Sequence, residues 1–253
     1  MTGIEVKTPA QVAQMRQAGR LVAEVLDLVA GMARAGVTTE QLDRAAEGHI
    51  VAGGGRPSFK GYRGFPASIC ASLNEEVVHG IPGARVLCDG DLLKVDVGAQ
   101  WQGYHADAAV TVPIGDVSAE AQRLLETTRA ALYAGIAAVR AGVRVSQVSA
   151  AVQKVVEDNG FRVVTDYTGH GIGRALHEEP RVPNFVRAGW MSSDPVLERG
   201  TAIAIEPMVN VGTHRTAVLP NGWTVVTRDG SLSAHFEHTV AVEEQGAVLL
   251  TLP

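Results

Sequence analysis

The sequence is poor in the features that mark several common classes of protein. It has only two cysteines in 253 residues, Cys70 and Cys88, whereas a secreted disulfide scaffold is short and rich in cysteine. No stretch approaches the roughly 18 apolar residues of a membrane-spanning helix, and residues 1–20 lack the apolar core of a signal peptide. We therefore expect two free thiols in a cytoplasmic protein without a membrane segment.

Positive charge is also sparse. Lys and Arg total 22 against 27 Asp and Glu, which gives a formal net charge of −5, and the basic residues are scattered singly. A nucleic-acid-binding protein usually carries a basic face, so we expect no nucleic-acid specificity. Hydrophobic residues make up 46% of the chain, enough for a large core.

Helical signals occur twice along the chain. Thr8-Pro9 opens an apolar pattern at helical spacing that Gly36 should end, and a second helix is predicted over about residues 39–51. About a hundred residues later the plan returns, with helices predicted over 119–140 and 146–158. The segments AGVTTEQLDRAAEGHIVAGG and AGVRVSQVSAAVQKVVEDNG match at several positions, including the closing Gly.

The β-rich segments repeat in the same order and align four acids. The segment LLKVDV around Asp96 parallels TAIAIEP around Glu206, and DAAVTV at Asp107 parallels EHTVAV at Glu237. Any one of these matches could arise by chance, but three in the same order favour an internal repeat.

Two repeats are too few for a solenoid. We predict an α+β fold in one catalytic domain over residues 1–253, with pseudo-symmetric halves at about 8–113 and 118–245. Helices would lie outside and antiparallel strands inside, and no N-terminal extension is expected.

The four acids are unusual because Asp and Glu are depleted in strands. If the chain turns at residues 100–103, antiparallel pairing places Asp96 opposite Asp107 on one face, where like charges repel unless a cation lies between them. Glu206 and Glu237 supply a matching pair. Each acid alone favours an ordinary ion pair, but four converging acids favour two divalent ions, which two-metal hydrolases hold about 3.5–4 Å apart.

Histidines are the candidate nitrogen ligands. His170 lies in the segment TGHGIG, where glycines let the backbone approach a site, and the spacing fits neither common phosphate-binding glycine motif. His79 and His177 lie in turn-like segments, where a functional and a packing role are about equally open. His238 should point away from the acids, because neighbouring side chains alternate along a strand.

Taken together, these segments resemble the type I methionine aminopeptidases over nearly the whole chain. The motifs that carry the resemblance are NEEVVHGIP (74–82), VDV (95–97), HAD (105–107), GHGIGR (169–174), HEEP (177–180), IEPM (205–208) and FEHT (236–239). The resemblance implies the pita-bread fold, in which two pseudo-symmetric halves surround a central dinuclear metal site.

The resemblance also implies a role for each candidate residue. The implied metal ligands are Asp96, Asp107, His170, Glu206 and Glu237. Asp107 and Glu237 would bridge the two ions. The implied catalytic residues are His79, His177 and Glu206. The implied substrate-binding residues are Tyr62, Phe65, Cys70, His79, Leu176, His177 and Trp223. Leu176 departs from the aromatic residue that the family pattern leads us to expect in the methionine pocket.

The implied activity is removal of the initiator methionine from nascent proteins and peptides, with a small second residue preferred. A hydroxide bridging two divalent ions (Co, Mn, Fe, Zn or Ni) would attack the first peptide bond. A monovalent cation is expected near Asn74 and Ser233. The expected partners are nascent N-termini that begin with Met, with transient ribosome contact by a monomeric enzyme.

Two alternatives remain open at this point. A prolidase or proline aminopeptidase would share the fold, although such enzymes usually carry an added N-terminal domain. A non-catalytic binding protein could also keep the fold, but such proteins typically lose metal ligands, and here all five are present.

Overall fold

A computed structural model describes residues 3–186 and 194–253 of the chain. Within those ranges, antiparallel strands combine with four α-helices, in agreement with the predicted α+β class. No described helix is both long enough and apolar enough to cross a membrane. Both cysteines are free thiols, with Cys70 buried and Cys88 exposed.

All four predicted helices are present. They are α1 (Pro9–Met32), α2 (Thr39–Ala52), α3 (Ala119–Ala138) and α4 (Val145–Asp158). Thr8 caps α1, because its Oγ1 accepts a hydrogen bond from Gln11 N while Gln11 Oε1 accepts one from Thr8 N. The helix ends at Met32, four residues before Gly36, and α3 ends two residues before the predicted boundary.

The strands are short except for one long hairpin. They are β1 (Arg56–Pro57), β2 (Ile69–Leu73), β3 (Glu76–Val78), β4 (Leu92–Trp101), β5 (Tyr104–Pro113), β6 (Arg162–Val163), β7 (Gly169–Gly171), β8 (Glu178–Val182), β9 (Ala202–Ile205), β10 (Met208–Asn210), β11 (Thr216–Val218), β12 (Val225–Thr227), β13 (Ser233–His235), β14 (Glu237–Glu243) and β15 (Gly246–Leu249).

One nine-stranded sheet organises the molecule. Its main path runs β1-β4-β5-β14-β9-β7-β8, with β2 paired to β4 and β15 paired to β14. Every pairing among the described strands is antiparallel. Two three-stranded sheets, β13-β10-β6 and β11-β12-β3, complete the β structure.

The helices cover the large sheet in two pairs. Apolar side chains of α1 and α2 pack with those of β2, β4 and β5 in one buried cluster. Those of α3 and α4 pack with β9 and β14 in another. Each pair thus buries its apolar face on the sheet, the main favourable contribution to folding. The division into matched halves at about 8–113 and 118–245 stays a prediction.

The hairpin between β4 and β5 turns more tightly than predicted. Gln102 and Gly103 form a two-residue turn with φ of 47° and 83°, the signs that a type I′ hairpin turn requires. Asp96 therefore lies opposite Ala109, and its predicted direct pairing with Asp107 is wrong. The error is two residues, and because side chains alternate with a period of two, both acids still share one face.

Helix α1 also contacts the C-terminal segment very closely. A Cβ atom added to Gly19 would overlap the backbone carbonyl of Leu250, whereas one added to Gly31 would meet nothing within 4 Å. Close packing of backbone on backbone leaves no flexible side chain that could move aside.

We predict that Gly19→Ala lowers the free energy of unfolding by about 1–3 kcal/mol, the usual cost of overpacking. The matched variant Gly31→Ala in the same helix should be neutral or gain up to about 1 kcal/mol from helix propensity. Urea unfolding of both variants measures the difference. Equal stability of the two would contradict the close approach of α1 to Leu250.

Candidate metal centre and active site

Five neighbouring strands of the large sheet each bring one acid or histidine to the same region. In sheet order, β4 carries Asp96, β5 carries Asp107, β14 begins with Glu237, β9 is followed by Glu206, and β7 carries His170. Asp107 and Glu237 stand on the two strands β5 and β14, which are paired with each other. The other three flank this central pair.

The register around Ala109 puts three acids on one face. Ala109 lies opposite Asp96 on β4 and opposite Glu237 on β14. Directly opposed residues share a face, and Asp107 shares it because it precedes Ala109 by two. The small methyl group of Ala109 lies between the acids and leaves space above the sheet.

The register around Ala204 adds the other two residues. Ala204 lies opposite His170 on β7 and opposite Thr239 on β14, two residues beyond Glu237. Glu206 follows two residues after Ala204, and its Oε1 is 3.5 Å from Nε2 of His170. All five predicted metal-ligand residues therefore converge on one face.

Several atoms of this cluster are suited to a cation. Asp107, His170 and Glu237 are buried, and one potential ligand atom from each lies within 4.8 Å of the others. Among the described residues, Oδ1 of Asp96, Oδ1 of Asp107 and Oε1 of Glu237 are buried without a hydrogen-bond partner. Unpaired buried acceptors are costly, and a divalent cation would satisfy all three.

The histidine is held in the tautomer that a metal ligand needs. Nδ1 of His170 donates a hydrogen bond to the carbonyl of Gly171 at 2.8 Å. A carbonyl only accepts, so the proton is on Nδ1 and the Nε2 lone pair is free. Burial lowers the pKa of His170 to about 4, so the ring is neutral near pH 7.

The acids repel one another in the absence of a cation. Burial raises the pKa of Asp96 to about 7. Burial, followed by the charges of Glu237 and Asp96, raises the pKa of Asp107 well above its usual range. The pKa values of Glu206 and Glu237 rise in the same direction for the same kinds of reason. The donor set therefore fits divalent metal, whose charge removes this penalty.

The two other predicted histidines reach the same cavity. Nδ1 of His177 is 2.9 Å from Oη of Tyr62, and the His177 ring centroid is 4.2 Å from that of His170. His79 packs edge-on against Trp223, with centroids 6.3 Å apart. Burial lowers the pKa of His79 to about 4. Burial and then His170 lower that of His177 to about 3. Both rings are therefore neutral near pH 7.

An apolar wall completes a cavity of about 340 Å³ above the acids. All five residues predicted for a methionine pocket line it: Tyr62, Phe65, Cys70, Leu176 and Trp223. Phe65 and Trp223 meet edge to face at 5.1 Å. Burial and then Asp96 raise the pKa of the Cys70 thiol, which stays uncharged. Soft apolar and aromatic side chains of this kind suit a thioether.

Other lining residues were missed in the sequence. Phe59, Val78, Tyr167, Arg181 and Met208 also face the cavity. Only Tyr167 carried a usable signal, since it precedes the glycine-flanked His170 closely. Its ring packs edge-on against His79, with centroids 5.7 Å apart. His238 lies as predicted on the opposite face, where its Nδ1 is 2.8 Å from Oγ1 of Thr251.

A monovalent cation near Asn74 and Ser233 stays a prediction, and a lysine side chain reaches the same two residues. The backbone carbonyls of these two residues accept hydrogen bonds from Nζ of Lys94, at 2.7 Å and 3.1 Å. The ammonium group of the chain itself therefore occupies the position. A lysine inside the apolar segment LLKVDV was the overlooked signal.

Comparison with known proteins agrees with this geometry. The sequence model of Metallopeptidase family M24 matches residues 13–244. A methionine aminopeptidase of Clostridium acetobutylicum is 49% identical, covering 98% of this chain and 99% of the relative. Methionine aminopeptidase 1 of Bacillus subtilis is 47% identical, covering 97% and 98%. The crystal structure of a Thermotoga maritima methionine aminopeptidase superposes with a TM-score of 0.96 at 42% identity, covering 99% and 100%.

A curled antiparallel sheet that gathers four carboxylates and one imidazole beneath a cavity is typical of a metal-dependent hydrolase. The chain belongs to Metallopeptidase family M24, and within it to the methionine aminopeptidases. The predicted pita-bread fold and aminopeptidase class are confirmed. Divalent metal binding follows from the family together with the cluster of Asp107, His170 and Glu237.

The repulsion among the acids makes a prediction for the metal-free protein. We expect Asp107→Asn to raise Tm in chelator at pH 8 by about 2–4 °C, because it removes one buried like charge. The gain should shrink as the pH falls, because wild-type Asp107, whose folded-state pKa is raised, then takes up a proton and loses its penalty. Thermal unfolding between pH 8 and pH 6 measures both effects.

Asp158→Asn, at an exposed helical ion pair with Lys154, is the matched control and should show no such gain. Added divalent metal should reverse the order of the two Tm values, so that Asp107→Asn unfolds at a lower temperature than the wild type. A metal-free Asp107→Asn protein with a lower Tm than the wild type at pH 8 would contradict the repulsion argument.

Proposed function

We propose that this enzyme removes the initiator methionine, using two divalent ions held by Asp96, Asp107, His170, Glu206 and Glu237. The observation that carries the proposal is the convergence of these five side chains on one face, at the floor of an apolar cavity large enough for a methionine side chain. The relatives named methionine aminopeptidase support the same reaction.

The sheet order supports two ions rather than one. Asp107 and Glu237 occupy the centre of the row, on paired strands, and are the candidates to bridge both ions. Asp96 on one side, and Glu206 with His170 on the other, would each complete one ion. Four carboxylates balance the charge of two divalent ions. Oxygen and imidazole ligands suit Mn, Fe, Co, Zn or Ni, with availability usually deciding among them.

When bound at this site, divalent ions would lower the pKa of a water molecule towards neutrality and would polarise a carbonyl group. The acid that handles the released proton is Glu206. Its carboxylate borders the cavity, where it would accept the proton of the attacking water and pass it to the leaving amine.

The two neutral histidines orient the peptide. His177, held through its Nδ1 contact with Tyr62, donates a hydrogen bond to the scissile carbonyl oxygen. His79, fixed between Trp223 and Tyr167, contacts the amide nitrogen of the bond that breaks. The negative charge of Asp96, which lines the cavity, attracts the free N-terminal amine of the substrate. An exopeptidase needs such an anchor because the amine marks the first bond.

The apolar wall supplies the specificity. Phe65 and Trp223 form the aromatic part, and Leu176 offers a branched aliphatic surface where the family pattern led us to expect an aromatic ring. A preference for a small second residue belongs to the same proposal. We also propose that the enzyme is a cytoplasmic monomer, that its substrates are nascent chains, and that it contacts the ribosome transiently.

We predict that His79→Ala lowers kcat about 100-fold or more, the range of a lost proton-handling or orienting group, while the metal content stays at the wild-type value. Steady-state kinetics and elemental analysis of the purified protein measure the two quantities. His238→Ala on the outer face is the control and should keep kcat within about twofold. Loss of metal from His79→Ala would mean that His79 is a ligand, against the proposed role.

The reaction itself is tested with peptides. After chelation the enzyme should be inactive on Met-Ala-Ser, and one or more of Mn, Fe, Co, Zn and Ni should restore release of free methionine. Elemental analysis should find two ions per chain at full activity. Ala-Pro and Gly-Pro are the control peptides for a prolidase. Faster hydrolysis of these than of Met-Ala-Ser, or metal-independent cleavage, would refute the proposal.

A further inference from the structure

Lys94 is a buried lysine inside the strand that carries Asp96. Its side chain is 1% exposed, although lysine is almost never fully buried unless its charge is paired. Its Nζ donates to the carbonyls of Asn74 and Ser233, and these pure acceptors favour the ammonium form, which has three hydrogens to donate.

The two carbonyls belong to segments that lead into the active site from different parts of the chain. Asn74 directly follows β2 and opens the segment that ends at His79. Ser233 begins β13, which leads within four residues to Glu237. The two segments also touch directly, because Ser233 N donates to Asn74 O at 3.0 Å. Lys94 thus joins the approach to a proposed catalytic histidine with the approach to a proposed metal ligand.

The neighbouring strand reinforces the same junction. Thr111 on β5 lies opposite Lys94. Its Oγ1 donates to the carbonyl of His235 at 2.7 Å and accepts from His235 N at 2.9 Å. The backbone of β13 is therefore held at both of its ends, at Ser233 by Lys94 and at His235 by Thr111. Displacement of β13 would move Glu237 with it.

Converging backbone carbonyls are also how proteins hold monovalent metal ions, because the oxygens replace the hydration shell of the ion. We propose that the ammonium of Lys94 is a built-in monovalent cation that positions the segments leading to His79 and Glu237. The enzyme consequently has no need of free K⁺ or Na⁺. Because the charge is covalently attached to β4, it is present at any salt concentration and is not subject to mass action.

Two substitutions separate charge from packing. Lys94→Ser removes the ammonium and opens space beside the two carbonyls. Lys94→Met removes the charge but fills most of that space with an apolar chain. The metal-loaded proteins are compared in choline, sodium, potassium and ammonium chloride at equal ionic strength, by thermal unfolding and by kcat on Met-Ala-Ser. Lys154→Met, which removes an exposed lysine, is the matched control.

In choline chloride we expect Lys94→Ser to have a lower Tm than the wild type and a kcat about 10- to 100-fold lower, since small displacements of catalytic groups cost this much. One of the small cations should raise its Tm by about 2–4 °C and restore kcat in parallel. Lys94→Met should lose activity without rescue. The wild type and Lys154→Met should respond equally little to the choice of cation.

Three results would overturn the proposal. The first is a wild type whose Tm or kcat depends on K⁺ or Na⁺ as strongly as that of Lys94→Ser. The second is a Lys94→Ser protein that loses stability but is rescued by no cation. That result would mean that Lys94 contributes only by filling space in the core. The third is a Lys94→Ser protein whose Tm and kcat in choline chloride equal those of the wild type. If Lys94→Ser fails to fold in choline chloride, refolding in ammonium or potassium chloride is expected, and failure there also counts against the proposal.

The unfolding measurements do not depend on the substrate or on the catalytic roles proposed above. Inactivity of the wild type on Met-Ala-Ser would therefore refute the proposed function while leaving the cation dependence of Tm in Lys94→Ser as a separate result.

Discussion

Mutual repulsion among four buried carboxylates is the constraint on which the structure depends. Asp96, Asp107, Glu206 and Glu237 share one face of a sheet, and their pKa values are raised by burial and, for three of them, by one another's charges. A fold stabilised by only about 5–15 kcal/mol in total tolerates such a cluster poorly without a counter-charge. Divalent metal removes the penalty, so binding metal and keeping this face intact are a single physical requirement.

The sheet accommodates the cluster by devoting one strand to each residue. Five successive strands each present one side chain, and small residues such as Ala109 and Ala204 lie between them and leave room. The helices lie against the sheet and bury apolar surface, which supplies stability that the polar face cannot. The hydrogen bonds of Lys94 and Thr111 then hold the segments that lead to the site. The candidate metal centre is therefore supported both by paired strands and by these hydrogen bonds.

Much of the site could be read from the chain because acids in apolar strands are rare enough to require a reason. The matched segments around Asp96 and Glu206 predicted the candidate ligand positions, and family motifs added His79 and His177. The hairpin register was misjudged because four residues that can form a turn do not reveal which two form it. The prediction that Asp96 and Asp107 share a face still held, because a shift by an even number of residues keeps a side chain on the same face of the sheet. The contacts of the Lys94 ammonium group could not be predicted, because the sequence does not show where this long side chain ends.

The sequence by itself determined the four helices, the α+β class, the five candidate ligand residues and the aminopeptidase family. These features depend on local periodicity and on residue types at short spacing, which the chain carries directly. Only the tertiary structure decided the order of the five strands, the central position of Asp107 and Glu237, and the hydrogen bonds from Lys94 to Asn74 and Ser233. Each of these depends on contacts between residues far apart in the chain, which are fixed only when the strands pair and the side chains pack.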